Sequence, residues 1–196
     1  MDTCLSQFQW RLLMQHHAFG KIITGIALLC FALIASPRLQ ASPIDPVGVT
    51  GEGEYTNDAQ MLIDGYMPDQ ASTFDGPDCV FWSDPRVSFE IDLGSVYYVD
   101  GIVMQVDNND NYLIEASLDG RYFSRMLFLN SQHGEIGWGM ETVSTDRGSR
   151  HYVPLRFTPA KARYLRVSGH GGDRLYAVSE VRIFGSRSFR PFRPLR

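Results

Sequence analysis

Through 89–122 the chain alternates apolar and polar residues at period two: Phe89, Ile91 and Leu93, a break at Gly94-Ser95, then Val99, Ile102 and Met104. Period two is the spacing of a half-buried strand, so the pattern reads as strand, turn, strand, followed by a polar loop over 107–111. A further run, Tyr112, Ile114 and Ala116, closes on Asp119-Gly120, a dipeptide suited to the positive φ of a tight hairpin turn. At least three antiparallel strands are expected in this stretch, with the rest of the chain arranged around it.

Apolar runs at 123–129, 152–157, 163–168 and 178–184 add short strands, bringing the set to about seven or eight, the spacing of an all-β sandwich. Two stretches lack periodicity and read as long loops: 66–85, with Pro68, Gly76, Pro77 and Pro85, and 130–150, rich in Gly, Ser and Thr. The segment after Ser42 is turn-rich, and 57–63 reads as one helical turn capped by Thr56 or Asn57, or as an irregular loop, ending at Asp64-Gly65. The expected fold is an antiparallel β-sandwich, jelly-roll in type.

The N-terminus changes the picture. Residues 22–35 carry no charge, fall short of the ~20 apolar residues of a spanning helix, follow Lys21 and precede Leu39-Gln40-Ala41, a small-residue cleavage site. Residues 1–41 therefore read as a secretory signal, with Met14 as an alternative start and an uncleaved anchor as the other reading. Leu29 before Cys30 disfavours a lipoprotein signal. An exported domain, periplasmic or extracellular, is expected over 42–185.

The whole chain has a formal net charge of −4. Over 42–185 alone there are 11 basic and 21 acidic residues, a charge of −10. Phosphate recognition needs clustered cations, so this body excludes a nucleic-acid surface and suits cations or neutral ligands. The basic residues collect instead in the tail 186–196, where Arg187, Arg190, Arg193 and Arg196 recur at period three beside Phe189, Phe192 and Leu195. In a polyproline II helix that spacing puts a cationic edge beside an apolar one, suited to an anionic envelope surface; a solvated terminus is the other reading. Beyond the leader the chain has one cysteine, Cys79, so no internal disulfide forms, and because its neighbours Asp78, Val80 and Phe81 offer no cation to lower its pKa it reads as a small buried hydrophobe rather than a reactive thiol.

Several residue groups together resemble the discoidin, or coagulation-factor type C, module of the galactose-binding-like superfamily. They are Asp92-Leu93-Gly94 ending a strand; the turn Ser117, Asp119, Gly120 followed by Tyr122; Leu62-Ile63-Asp64-Gly65 and Trp82-Ser83 upstream; and the closing runs 162–167 and 179–185. The resemblance covers roughly 48–185 and implies a binding module rather than an enzyme. It also implies a structural calcium held by Asp64 and Glu180, with Asp69 and either Ser72 or Thr73. Calcium takes oxygen ligands of this kind, although Asp64 could serve only its own turn and Glu180 could pair with Arg182 or Arg166. Trp82 matches the family's buried tryptophan. Without the disulfide that ties the ends of many animal members, the chain is similar to the bacterial exported type.

The candidate chemistry lies in loops. The run 107–111, with Asp107, Asn109 and Asn111, offers short donors and acceptors for sugar hydroxyls or a cation; alternatively these residues tolerate positive φ in a long hairpin. Trp138, between Gly137 and Gly139, could stack a sugar ring as loop aromatics do in carbohydrate-binding members of the superfamily, or fold back over the sandwich edge. His170 and Arg174, in the Gly-rich loop 169–174, could add polar contacts or be solvated turn residues. Catalytic signatures are missing: His133, His151 and His170 stand in no H-x-x-x-H or H-E-x-x-H spacing, and there is no G-x-S-x-G elbow or P-loop. Glu135 and Glu141 would be poorly fixed in a Gly- and Ser-rich loop for glycosidase work. The sequence points to a non-catalytic module that binds a carbohydrate or another polar surface ligand. An adhesion module binding a protein partner through a sheet face is the alternative, and a minimal hydrolase a third reading.

Overall fold

A computed structural model describes residues 41–107, 109–133 and 139–187. The expected leader over 1–41 and basic tail over 186–196 lie almost wholly outside the described residues. Among the described residues there are nine strands: β1 (Ser42–Ile44), β2 (Gly48–Glu52), β3 (Val80–Trp82), β4 (Ser88–Asp107), β5 (Asn111–Ser117), β6 (Ser124–Leu129), β7 (Met140–Ser144), β8 (Ala160–His170) and β9 (Tyr176–Arg187). Every pairing between them is antiparallel, as expected for an all-β antiparallel fold. The first half of β4 lies between β2 and β8, with Ile91 opposite both Val49 and Leu165. Its second half lies between β7 and β9, with Met104 opposite Val143 and Val181. Strand β8 leads on to β5 and β6, and β9 to β1 and β3, so two groups of strands share β4.

That continuity corrects the strand-turn-strand expectation. Gly94-Ser95 is a bulge inside a single strand, where the register shifts between Asp92 and Tyr97. Gly94 takes φ 72°, its N–H donates to the Asp92 carboxylate at 2.7 Å, and the same carboxylate holds Arg163 through two bonds of 3.2 Å. A bulge interrupts period two and bends the strand without reversing it.

Other boundaries also move. Strands β3 and β7 fall inside the stretches read as loops, and β1 and β2 inside the turn-rich start. The expected strand at 152–157 makes only isolated bridges, Tyr152 to Ser144 and Phe157 to Leu127. Pro154 has no N–H to give a ladder, while Leu155 and Phe157 donate to carbonyls two residues back, at 2.7 and 3.0 Å. The helical turn is a 3₁₀ turn, Ala59–Ile63, capped by Asp58 rather than by Thr56 or Asn57. The long loop after it is ordered, stapled to β4 and β7 by Gln105 Nε2 donating to the Pro68 carbonyl at 2.8 Å, Thr142 N to Gln70 Oε1 at 2.9 Å and Ala71 N to the Met140 carbonyl at 2.8 Å.

Alternation along β4 buries Phe89, Ile91, Leu93, Val99, Ile102 and Met104. At the core's centre Trp82 packs edge-on against Phe89 at 5.0 Å and against Tyr112 at 6.3 Å, and tilted on Tyr176 at 5.6 Å. Cys79 is buried, and that burial pushes its thiol up to about 11, which leaves it unreactive. Trp82 joins β3 to β4, β5 and β9 through these rings, so Trp82→Ala is expected to cost ~3–5 kcal/mol of stability, measured by chemical denaturation.

Candidate functional site

Two loops meet at one end of the fold because β5 and β8 are neighbours: Asn111, where β5 begins, lies opposite His170, where β8 ends. The loop between β4 and β5 therefore sits against the loop between β8 and β9. Asn109 Nδ2 donates to Asp173 Oδ2 at 3.2 Å, and the backbone N–H of Arg174 donates to Asp110 Oδ1 at 3.1 Å. The second loop can close over the first because residue 172 is glycine: its φ is 72°, and a Cβ there would collide with the Asp110 carboxylate. Beneath them Tyr112 Oη donates to the Asp107 carbonyl at 2.9 Å and accepts from Ala177 N at 3.0 Å.

Asp107, Asn109, Asn111, His170 and Arg174 are thus brought together on adjoining loops, but they are not equivalent. Asn109, His170 and Arg174 are exposed. Asn111 is half-buried, and its side-chain oxygen accepts Ser131 N at 2.8 Å. Asp107 is only 2% exposed, so it supports the loop from beneath rather than facing solvent. The polar residues suggested by the sequence divide into a surface set and a buried set that shapes the loop.

The buried set is acidic. Asp107 and Asp110 each have one carboxylate oxygen without a hydrogen-bond partner. Burial, followed by the charges of Asp110 and Asp173, pushes Asp107 up to about 7. Burial also pushes Asp110 up to about 6, against the lowering effect of the Arg174 N–H. A carboxyl whose folded value exceeds its unfolded value of about 3.9 binds more protons when folded, so its contribution falls as pH rises from about 4 towards 7 and is level above. Thermal melting at pH 5 should therefore exceed that at pH 8. Asp107→Asn should flatten this dependence and raise stability at pH 8 by about 1–3 kcal/mol.

The residues implied for calcium are arranged differently. Glu180, 3% exposed, accepts Gly65 N at 3.2 Å and Arg182 Nε at 3.4 Å, and burial raises its carboxyl above the ordinary range. Arg182 Nη2 also donates to the Gly65 carbonyl at 2.9 Å, so a guanidinium bridges Glu180 and the Gly65 carbonyl. Asp64 bonds its own turn through Tyr66 N at 2.8 Å. Asp69 and Thr73 are exposed, and among the described residues no three carboxylate, imidazole or thiolate side chains are grouped so as to hold a metal ion. As placed, Asp64 and Glu180 belong to a turn bridged by the Arg182 guanidinium.

Trp138, Asn108 and Glu135 lie outside the described residues, and Glu141 is buried on β7. Sequence reasoning took Asp110 only as part of the run 107–111 and passed over Asp173 and Phe128, whose ring lies 6.4 Å from that of His170. For Asp173 there was a signal: an acid within a run of glycines can accept neighbouring N–H groups, as it does from Leu175 N at 2.9 Å. Phe128 was hidden inside an apolar strand run.

No family model matches the sequence, and no curated protein matches it. Solved structures do match the fold. A truncated AlyQ with CBM32 and alginate lyase domains has TM-score 0.53 and 21% identity over 78% of this chain, which spans only 35% of that protein. The CBM32 of AlyQ in complex with 4,5-unsaturated mannuronic acid has TM-score 0.51 and 22% identity, with 73% of this chain and 98% of that one covered. A mutant lectin-binding domain of lectinolysin complexed with Lewis b has TM-score 0.52 and 15% identity over 74% and 96% of the two chains. At these identities the likeness is one of fold, and the chain shares the antiparallel β fold of these solved domains.

Proposed function

We propose that this is an exported, non-catalytic carbohydrate-binding module whose ligand rests on the loops at 107–111 and 170–175. The observation that carries this reading is the backbone of Arg174. It takes φ 70° two residues after Gly172, which with Gly171 also has positive φ, at 72° and 64°, although a left-handed conformation disfavours any residue with a Cβ. A long cationic side chain at a position that favours glycine is strain held for use. Asp110 holds that backbone from below, and Asn109, Asp173 and His170 stand beside it. An amide, a carboxylate, an imidazole and a guanidinium on one exposed surface match the dense hydroxyls of a sugar, which both donate and accept. The fold neighbours support the reading, since two of them are complexes with a mannuronic acid derivative and with Lewis b.

A glycan array probed with the protein tests this, followed by calorimetry on the best ligand. Arg174→Gly is expected to raise stability by about 0.5–1 kcal/mol while weakening binding at least tenfold. Asn109→Ala should weaken binding with melting nearly unchanged. Binding that survives both substitutions would remove these loops from the site.

A further inference from the structure

Beside those loops lies an open groove of about 440 Å³, lined by Arg125, Phe128 and Asn130 along β6 and by Pro154 and Arg156 from the irregular segment next to it. The groove follows from the way the sheet edge is finished. β6 is the outermost strand of its group, and 153–158 runs beside it without a ladder, touching through the Leu127–Phe157 bridge and a bond of 2.9 Å from Thr158 N to the Met126 carbonyl. Val153, Leu155 and Phe157 turn towards the core, leaving Pro154 and Arg156 exposed. Arg125 faces the same groove from β6.

The charge of this groove opposes that of the body. Arg86, Arg163, Arg166 and Arg182 are each paired with a carboxylate. The Arg125 and Arg156 side chains make no ion pair or hydrogen bond among the described residues. Glu115 stands opposite Arg125 in the β5–β6 register, yet forms no salt bridge with it. In a body of formal charge −10, two unpaired guanidiniums across one groove are a local site for an anion. Between them Phe128 is half-buried, with a ring on which a pyranose can lie, and Asn130, whose Oδ1 accepts Gln132 N at 2.8 Å, can donate from Nδ2 to its hydroxyls. The groove also reaches the loops: Phe128 adjoins His170, and Ser131, next to Asn130, bonds Asn111.

We infer that this groove is a second sugar subsite that takes an anionic residue of a polysaccharide, with Arg125 and Arg156 gripping its carboxylate or sulfate and Phe128 carrying its ring. The inference rests on the carbohydrate-binding reading and extends it, since one chain can cross from the loops into the groove. Calorimetry with the full chain tests it against an oligomer of hexuronic acids, the same oligomer with its carboxyls reduced, and a sulfated glucan. The acidic oligomer should bind at least tenfold more tightly than its reduced form, and this margin should shrink as salt is raised. The double variant Arg125→Gln/Arg156→Gln should abolish the margin, leave the reduced oligomer's affinity unchanged, and melt within about 1 °C of wild type, because both side chains are exposed. Tight binding of the sulfated glucan alone, lost in the same variant, would keep the subsite and assign it to sulfate. A margin that survives in the variant, or none in the wild type, overturns the groove while leaving a neutral sugar site on the loops intact. No binding to any glycan would overturn both.

Discussion

Strand β4 must serve two groups of strands, and the bonded bulge at Gly94 lets one chain segment do so. Before the bulge β4 pairs with β2 and β8; beyond it residues 97–99 keep β8 on one side while β9 joins on the other, and β7 pairs with the strand's far end. Asp92 is the fastening, because one carboxylate accepts the bulge N–H and grips Arg163 of β8. The site inherits its geometry from this arrangement. The far end of β4 delivers the loop at 107–111, and β8 and β9, both registered on β4, deliver the loop that closes over it.

Polar groups rather than apolar contacts then set the shape of those loops. Gln105, fully buried, bonds Pro68, Thr142 and Ser179, the last at 2.6 Å, which ties the long loop, β7 and β9 to one strand. Asp107 and Asp110 lie nearby with raised proton affinities. Buried carboxyls work against stability near neutral pH, and a strained Arg174 adds to that cost. These costs are concentrated at one end of the fold, where the loops at 107–111 and 170–175 meet.

The sequence revealed most where one interaction dominated. Alternation in β4, β5, β8 and β9 reports a face buried against a core, and Trp82 announced that core correctly. Strand β7 was illegible because all five of its residues are buried, which erases the alternation, and it sits between glycine-rich neighbours. The Gly94 bulge looked like a turn because both interrupt period two; only the Asp92–Arg163 partnership, 71 residues apart, separates them. The same limit applied to the site. The loop at 107–111 was visible from its composition, but whether Asp107 faced water depended on what packed over it. The Arg182 bridge to Gly65 and the groove beside β6 exist only through long-range placement of residues that are individually ordinary.

The central claim is that ligand recognition lies at the end of the fold where β4, β5, β8 and β9 connect. Amide chemical-shift mapping by NMR on the isotope-labelled protein, titrated with a glycan that binds it, tests this most directly. The account predicts that the largest shifts fall on 109–111 and 170–175, extending to Phe128 and Asn130 when the glycan is acidic. Shifts centred instead on the outer sheet face around Glu90 and Arg166, or on the Gly65–Glu180 turn, with the loops unmoved, would contradict it.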